Sequence, residues 1–298
     1  MMSDFWIGID LGGSSVKALA VTPSGERIDS RRRDFEEGDS LAWLGVIQEM
    51  VAVFEETQGR PAAGIGLSAP GLVSPDRRSI RNMPGRLKGL VGLDWTEQLR
   101  RDRRVPVLND AQAALAGEAW VGAVRNIENV LFLTLGTGVG GAVKVDGRIL
   151  GGAIGRAGHV GHICLDPKGK PDICRTPGSL ELAVGNCSIQ LRTEGRYGST
   201  HELVEAVKAG DSVAARYWRD TIHHLACGIV SLVNVLDPEV VVVGGGIAAA
   251  GVTLFDPLSK AVEELEWVVS DHRVQIRPAR LGEWAGAFGA AQIGGGAS

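Results

Sequence analysis

The chain has 298 residues, 44% of them apolar, which exceeds the roughly 100 to 200 of one domain and can fill two cores. A formal charge of −4, with acidic neighbours beside Arg31 to Arg33 and Arg100 to Arg104, excludes a nucleic-acid footprint. Four cysteines (Cys164, Cys174, Cys187, Cys227) without a CxxC pair exclude a disulfide framework, and MMSDF carries no leader pattern, so a cytoplasmic protein with no membrane or nucleic-acid partner is expected.

In chain order, Phe5 to Ile9 is a short apolar run ending at Asp10, followed by Gly12-Gly13-Ser14-Ser15 and a second apolar run, Val16 to Val21. That order is strand, glycine turn, strand. Leu41 to Glu56 has helical spacing, with Leu44, Ile47, Val51 and Phe54 on one face; Ala63 to Leu67 is strand-like. Val105 to Leu108 is another strand, leading through Asn109-Asp110 into a helix over Ala111 to Val121. Val130 to Leu135, the turn Gly136-Thr137-Gly138-Val139-Gly140-Gly141 and Ala142 to Val145 then repeat the opening layout. Such likeness arises from a duplicated domain or from two unrelated glycine hairpins. If duplicated, two like domains would face each other across a cleft able to hold a polyphosphate.

Downstream, Asp211 is placed to cap a long amphipathic helix through Trp218, Leu225, Ile229, Leu232 and Leu236, stopped by Asp237-Pro238. A buried strand, Val240 to Val243, ends in Gly244-Gly245-Gly246, and the longest uncharged stretch, Val240 to Phe255, is shorter than the roughly 18 apolar residues of a spanning helix. Trp284 to Ile293 closes the chain as a helix, and a tail from Gly294 to Ser298 is expected to lack order.

Several residues invite chemistry. Asp10 at a strand end, before Gly12, Gly13 and Ser14, offers backbone N–H groups to a phosphate and a carboxylate able to hold magnesium through water. The pattern is neither a Rossmann fingerprint nor a P-loop, because a strand follows it and no Gly-Lys-Ser does. Asp110, at a strand-to-helix junction, is an N-cap by residue type. It is also placed as a base, since phosphoryl transfer to an alcohol needs a carboxylate beside the hydroxyl. His159 and His162 sit three apart in a glycine-rich loop; they are a zinc pair only if Asp172 and Cys174 complete it, and otherwise hydrogen-bond a ligand or lie on the surface. Leu180-Glu181-Leu182 has the look of a helix with an exposed Glu181.

Taken together, these motifs resemble the ROK group of sugar kinases and sugar-responsive repressors from about Ile7 to Ala291. The residues carrying the likeness are Asp10 to Ser14, Ser68-Ala69-Pro70-Gly71, Asn109-Asp110, Gly136 to Gly141 and Gly244 to Gly246, all in the family's order. The resemblance implies an α/β, actin-like ATPase fold (hexokinase/Hsp70 superfamily, ribonuclease H-like), duplicated, with two domains and an interdomain cleft. The boundaries it suggests are 1–109 with a C-terminal helix at about 285–298, and 110–284. It implies an ATP-dependent sugar kinase acting on the 6-hydroxyl of a hexose or N-acetylhexosamine, as a homodimer, with domain closure excluding water. Asp110 would be the base; Gly71, Asn82 (in Asn82-Met83-Pro84), Asn109, His159, His162 and Glu181 would face the sugar. ATP and its Mg2+ would meet Asp10, Gly12, Gly13, Ser14, Lys17, Gly136, Thr137, Gly138, Gly244, Gly245 and Gly246.

Two departures stand out. The family's Glu-x-Gly-His reads His159-Val160-Gly161-His162, a pattern similar to bacterial N-acetylmannosamine kinases. The family's Cys-x-Cys-Gly-x-x-Gly-Cys-x-Glu reads Asp172-Ile173-Cys174-Arg175-Thr176-Pro177-Gly178-Ser179-Leu180-Glu181, so a structural zinc is not expected. A repressor of the same family would need a helix-turn-helix before the first strand, where Phe5 leaves no room. A sugar-binding sensor without catalysis is the remaining alternative; the retained Asp10, Asp110 and glycine turns favour the kinase.

Overall fold

The computed structural model describes residues 4–36, 41–83 and 87–296. Pro84, the start of the MMSDF segment and the last two residues of the tail lie outside them. In chain order the elements are β1 (Trp6–Leu11), β2 (Ser15–Val21), β3 (Arg27–Asp34), α1 (Ala42–Gln58), β4 (Gly64–Ala69), β5 (Leu72–Val73), β6 (Ile80–Asn82), α2 (Trp95–Gln98), β7 (Val107–Asn109), α3 (Asp110–Trp120), β8 (Val130–Leu135), β9 (Val139–Val145) and β10 (Arg148–Ile149). There follow α4 (Leu180–Val184), α5 (Ile189–Arg192), α6 (Thr200–Lys208), α7 (Ser212–Leu236), β11 (Val240–Gly244), α8 (Val252–Leu265), β12 (Gln275–Pro278) and α9 (Ala285–Gly296).

The chain divides into two units. The first holds the chain up to Asn126, Gly151–Ala157 and everything from Arg280; the second holds Ile127–Leu150 and Gly158–Ala279. Each contains a five-stranded sheet, β3-β2-β1-β4-β7 in the first and β10-β9-β8-β11-β12 in the second. Each opens with an antiparallel hairpin (β1 with β2; β8 with β9) and continues with parallel strands. The matching order and directions give the two glycine turns the same structural address, which is what a duplication predicts.

In the first unit, α1 buries Trp43, Ile47, Val51 and Phe54 on the sheet, as its spacing requires. The opposite cover is α9, whose run of Gly and Ala is a poor helix former by propensity. Packing explains it: a Cβ on Gly289 would lie 1.8 Å from the Ala113 carbonyl oxygen of α3, so α9 approaches its neighbours backbone to backbone. For the same reason the tail from Gly294, expected to lack order, continues α9 through Gly296.

In the second unit, α7 is capped by Asp211, whose carboxylate accepts the N–H groups of Val213 (2.7 Å) and Ala214 (3.1 Å). It ends at Asp237 in the left-handed region (φ 45°), just before Pro238. Its apolar face, with Trp218, Leu225 and Ile229, joins Leu131, Leu133, Val241 and Val243 in one core. Among the described residues no helix is long and apolar enough to cross a membrane.

Candidate active site

In the first unit the sheet register assembles the carboxylate site. Asp10 pairs with Lys17 across β1 and β2 and with Ser68 across β1 and β4, so three polar side chains share one rung. Ser68 Oγ donates to Asp10 Oδ1 at 2.6 Å. Lys17 Nζ lies 3.3 Å from Glu283, just before α9. The carboxylate also lies over the first turn of α9, where a Cβ on Gly286 would come within 2.7 Å of Asp10 Oδ1; only glycine leaves that room. Burial raises the Asp10 pKa to about 6, helped by the charge of Asp110 and opposed by the Ser68 hydroxyl and Lys17. A divalent cation fits this environment, because it offsets both the desolvation and the repulsion between two carboxylates.

Asp110 is not the cap of α3. Asn109 is, accepting the Ala111 N–H at 3.1 Å, while Asp110 is the first helical residue and accepts the same N–H at 2.8 Å. The correction has a simple cause: the strand β7 runs one residue further than its apolar run, through Asn109. Asn109 is buried, and its amide also donates to the Gly71 carbonyl at 3.1 Å; Leu72, next to Gly71, pairs with Asn82 across β5 and β6. Gly71, Asn82 and Asn109 are thus gathered beside an exposed Asp110. In the opening glycine turn, the Gly12 N–H is taken by Ser15 O at 2.8 Å, so that amide closes the hairpin itself.

The second unit carries the other glycine turn, and a strap of chain docks on it. Gly136 and Thr137 carbonyls accept the N–H groups of Asn186 (3.0 Å) and Cys187 (2.7 Å). Glu181 Oε2 accepts the Val139 N–H at 3.0 Å. Glu181 is therefore half-buried on the turn rather than exposed on a helix surface, because Ser179 caps α4 and directs its first turn inward. Beside the turn is a cavity of about 430 Å³, walled by Gly136, Thr137, Asn186, Thr200, Gly246 and Ile247. Asn186 Oδ1 accepts the Thr200 N–H at 2.7 Å, and the buried Thr200 hydroxyl has no hydrogen-bond partner among the described residues. Such a group on a cavity wall suits a polar ligand. Gly246 brings the third sequence-predicted glycine motif to this cavity, at the end of β11.

The histidine loop lies in the same unit. His162 ends a single 3-10 turn, Val160–His162, with His159 just before it. His162 Nδ1 meets Asp172 Oδ2 at 2.7 Å, and Cys174 Sγ lies 3.5 Å from His162 Nε2. The Asp172 side chain is fully buried and its Oδ1 accepts the N–H groups of Cys174 (2.8 Å) and Thr176 (2.9 Å). Burial would raise its pKa, but the bonds from His162, Thr176 and Ser179 outweigh that and hold it below the usual carboxylate range. Could zinc sit here? His162, Asp172 and Cys174 offer atoms within 4.8 Å of one another. The donor set fits zinc poorly: the carboxylate is already saturated by hydrogen bonds, and one imidazole and one thiol, itself pushed upward by burial, then Asp172 and Glu181, are too few for a closed structural site. A hydrogen-bonded carboxylate organises this loop.

Sequence reasoning reaches Ser68 only as a motif position and does not reach Glu118, Asn186 or Thr200. Ser68 was legible as part of Ser-Ala-Pro-Gly; Glu118, Asn186 and Thr200 act through backbone partners far along the chain and left no local signal.

The ROK family profile matches residues 6–295. The chain is 31% identical to a glucokinase of Halalkalibacterium halodurans over 97% of its own length and 94% of that protein. Its fold is similar to a ROK hexokinase from Thermus thermophilus (TM-score 0.83, 29% identity, 97% of both chains). It is also similar to a ROK family glucokinase from Streptomyces griseus, solved with glucose and AMPPNP (TM-score 0.79, 26% identity, 97% and 99% of the chains).

Proposed function

Because the chain belongs to the ROK family, we propose that it is an ATP-dependent sugar kinase that phosphorylates the 6-hydroxyl of a hexose or N-acetylhexosamine, with Asp110 as the base. The observation that carries this reading is the placement of Asp110. It is fixed at the first position of α3, beside the Asn109 and Gly71 pair, and close enough to Asp10 for its charge to raise that carboxyl.

In the proposed reaction the Asp110 carboxylate accepts the proton of the sugar hydroxyl as its oxygen bonds to the γ-phosphorus, and the bond to the β–γ bridging oxygen breaks to release ADP. Asn109 orients the sugar side, and the amides of Thr137 and Gly138 receive polyphosphate oxygens, the Gly136 N–H being taken by the Gly138 carbonyl at 3.0 Å. The cavity beside Gly246 takes the base of the nucleotide. Asp10, through water, would hold Mg2+, which supplies charge neutralisation for the polyphosphate. The imidazole of His159, where a carboxylate is usual, supports testing N-acetylmannosamine beside glucose. A homodimer is proposed from the family likeness alone.

The test is ADP release from ATP and magnesium with glucose, mannose, N-acetylglucosamine and N-acetylmannosamine. One sugar should stimulate release, and Asp110→Asn should lower kcat by about 100-fold or more. Sugar binding without stimulated release would instead identify a sensor.

A further inference from the structure

We infer that Glu181 couples sugar binding to nucleotide binding within the second unit, by holding the Gly136 to Val139 turn through the Val139 amide. The inference rests on the kinase reading above and on the family likeness, which would put the sugar against His162 and Glu181 and the polyphosphate at the glycine turn.

The contacts form a continuous path. Ile163, next to His162, accepts the Leu180 N–H at 3.0 Å, and Cys164 pairs with Ser179 as an isolated bridge, so α4 begins on the histidine loop. One residue on, Glu181 Oε2 accepts the Val139 N–H at 3.0 Å. Oε1 has no hydrogen-bond partner among the described residues, which leaves it for a sugar hydroxyl. After α4, Asn186 and Cys187 dock on Gly136 O and Thr137 O, and the Asn186 side chain reaches Thr200 on the cavity wall. The charge of Glu181 is felt at both ends of the path: it adds to the burial that raises Cys174, beside His162, and Cys187, beside Thr137.

The fit is tight at one point. A Cβ on Gly138 would lie 2.1 Å from Glu181 Oε2, so the carboxylate occupies the space that any side chain at 138 would take. A carboxylate that must share its two oxygens between a ligand and the turn sets the turn's position according to whether the ligand is bound. Rigid hydrogen-bonded elements of this kind give coupling free energies worth roughly 5- to 150-fold in affinity, and the effect is reciprocal.

Gly138→Ala is the direct probe, because it displaces the end of a flexible side chain while keeping Glu181 itself, and Gly138 has no left-handed φ to strain an alanine. The affinity for AMPPNP with magnesium is measured by calorimetry with and without the sugar that gives turnover, and the ratio is the readout. Wild type should show a ratio on the order of 10. Gly138→Ala and Glu181→Ala should bring it below about 2, while Glu181→Gln, whose side-chain carbonyl still accepts from Val139, should retain most of it. If Gly138→Ala does not fold, the Ala and Gln variants at 181 decide alone. An unchanged ratio in Gly138→Ala or Glu181→Ala, or a wild-type ratio of one with both ligands bound, overturns the coupling and leaves the kinase reading intact. A wild type that binds neither ligand overturns both.

Discussion

Ser68 Oγ donates a 2.6 Å hydrogen bond to Asp10 Oδ1, across paired positions of β1 and β4, and the Asp10 carboxyl is nevertheless raised to about 6. Burial is the larger effect, and Asp110 adds to it. The folded protein therefore keeps a proton on Asp10 that the unfolded chain has released, over the window from about pH 4 to about 6. The stability Asp10 contributes is full below pH 4 and is lost as pH rises through 6. Compared by melting temperature without nucleotide or magnesium, wild type should lose stability relative to Asp10→Asn across that window, and magnesium should narrow the gap above pH 6.

Ser68→Ala removes the bond that opposes this rise. A hydrogen bond to a charged group is worth roughly 1.5 to 3 kcal/mol, so the acid limb of kcat/KM should move up by about one to two pH units. An unchanged limb would mean that Asp10 does not govern it.

Glu118 is fully buried on α3, and its side-chain hydrogen bonds among the described residues all come from backbone N–H groups. Its oxygens accept the N–H groups of Ala123 (2.7 Å), Arg280 (2.8 Å) and Leu281 (2.8 Å), tying α3 to the segment that leads into α9. Glu118→Ala leaves three backbone donors unsatisfied and should cost about 3 to 5 kcal/mol, read from urea unfolding of the whole chain. Glu118→Gln should cost less, since its carbonyl still accepts.

Asp172→Asn puts an amide among four donors, from His162, Cys174, Thr176 and Ser179. The His162 loop should loosen, raising the sugar KM roughly tenfold with a smaller change in kcat, because orientation and not proton transfer is affected. Wild type should carry no stoichiometric zinc by elemental analysis, and chelator treatment should leave its melting temperature unchanged.

Asn186→Ala removes the acceptor for the Thr200 N–H at the start of α6. The KM for ATP should rise by about fivefold while the sugar KM holds, given one lost hydrogen bond of roughly 1 kcal/mol at the cavity wall.

The elements and the motif positions were legible in the sequence wherever the signal was local. Apolar runs bounded by glycine turns gave β1 with β2 and β8 with β9, and 3.6-residue spacing gave α1 and α7, with Asp211 as a cap recognisable from residue type and position alone. The five ordered motifs carried the family. What failed at this level was fine local detail: Asn109 rather than Asp110 caps α3, because one more residue joins β7.

Tertiary structure decided the rest. The glycine-rich tail orders only because α9 lies against the sheet and α3, a packing that no propensity scale contains. Asp10, Lys17 and Ser68 meet because strand register aligns positions 10, 17 and 68 on one rung. Glu181, which as a sequence is an unremarkable helical acid, turns inward onto the amide of Val139, 42 residues away. Local sequence fixes backbone dihedrals and hydrophobic faces; the partner of a buried polar group is set by which distant segments the chain brings together, and each such pairing exists only once the core has formed.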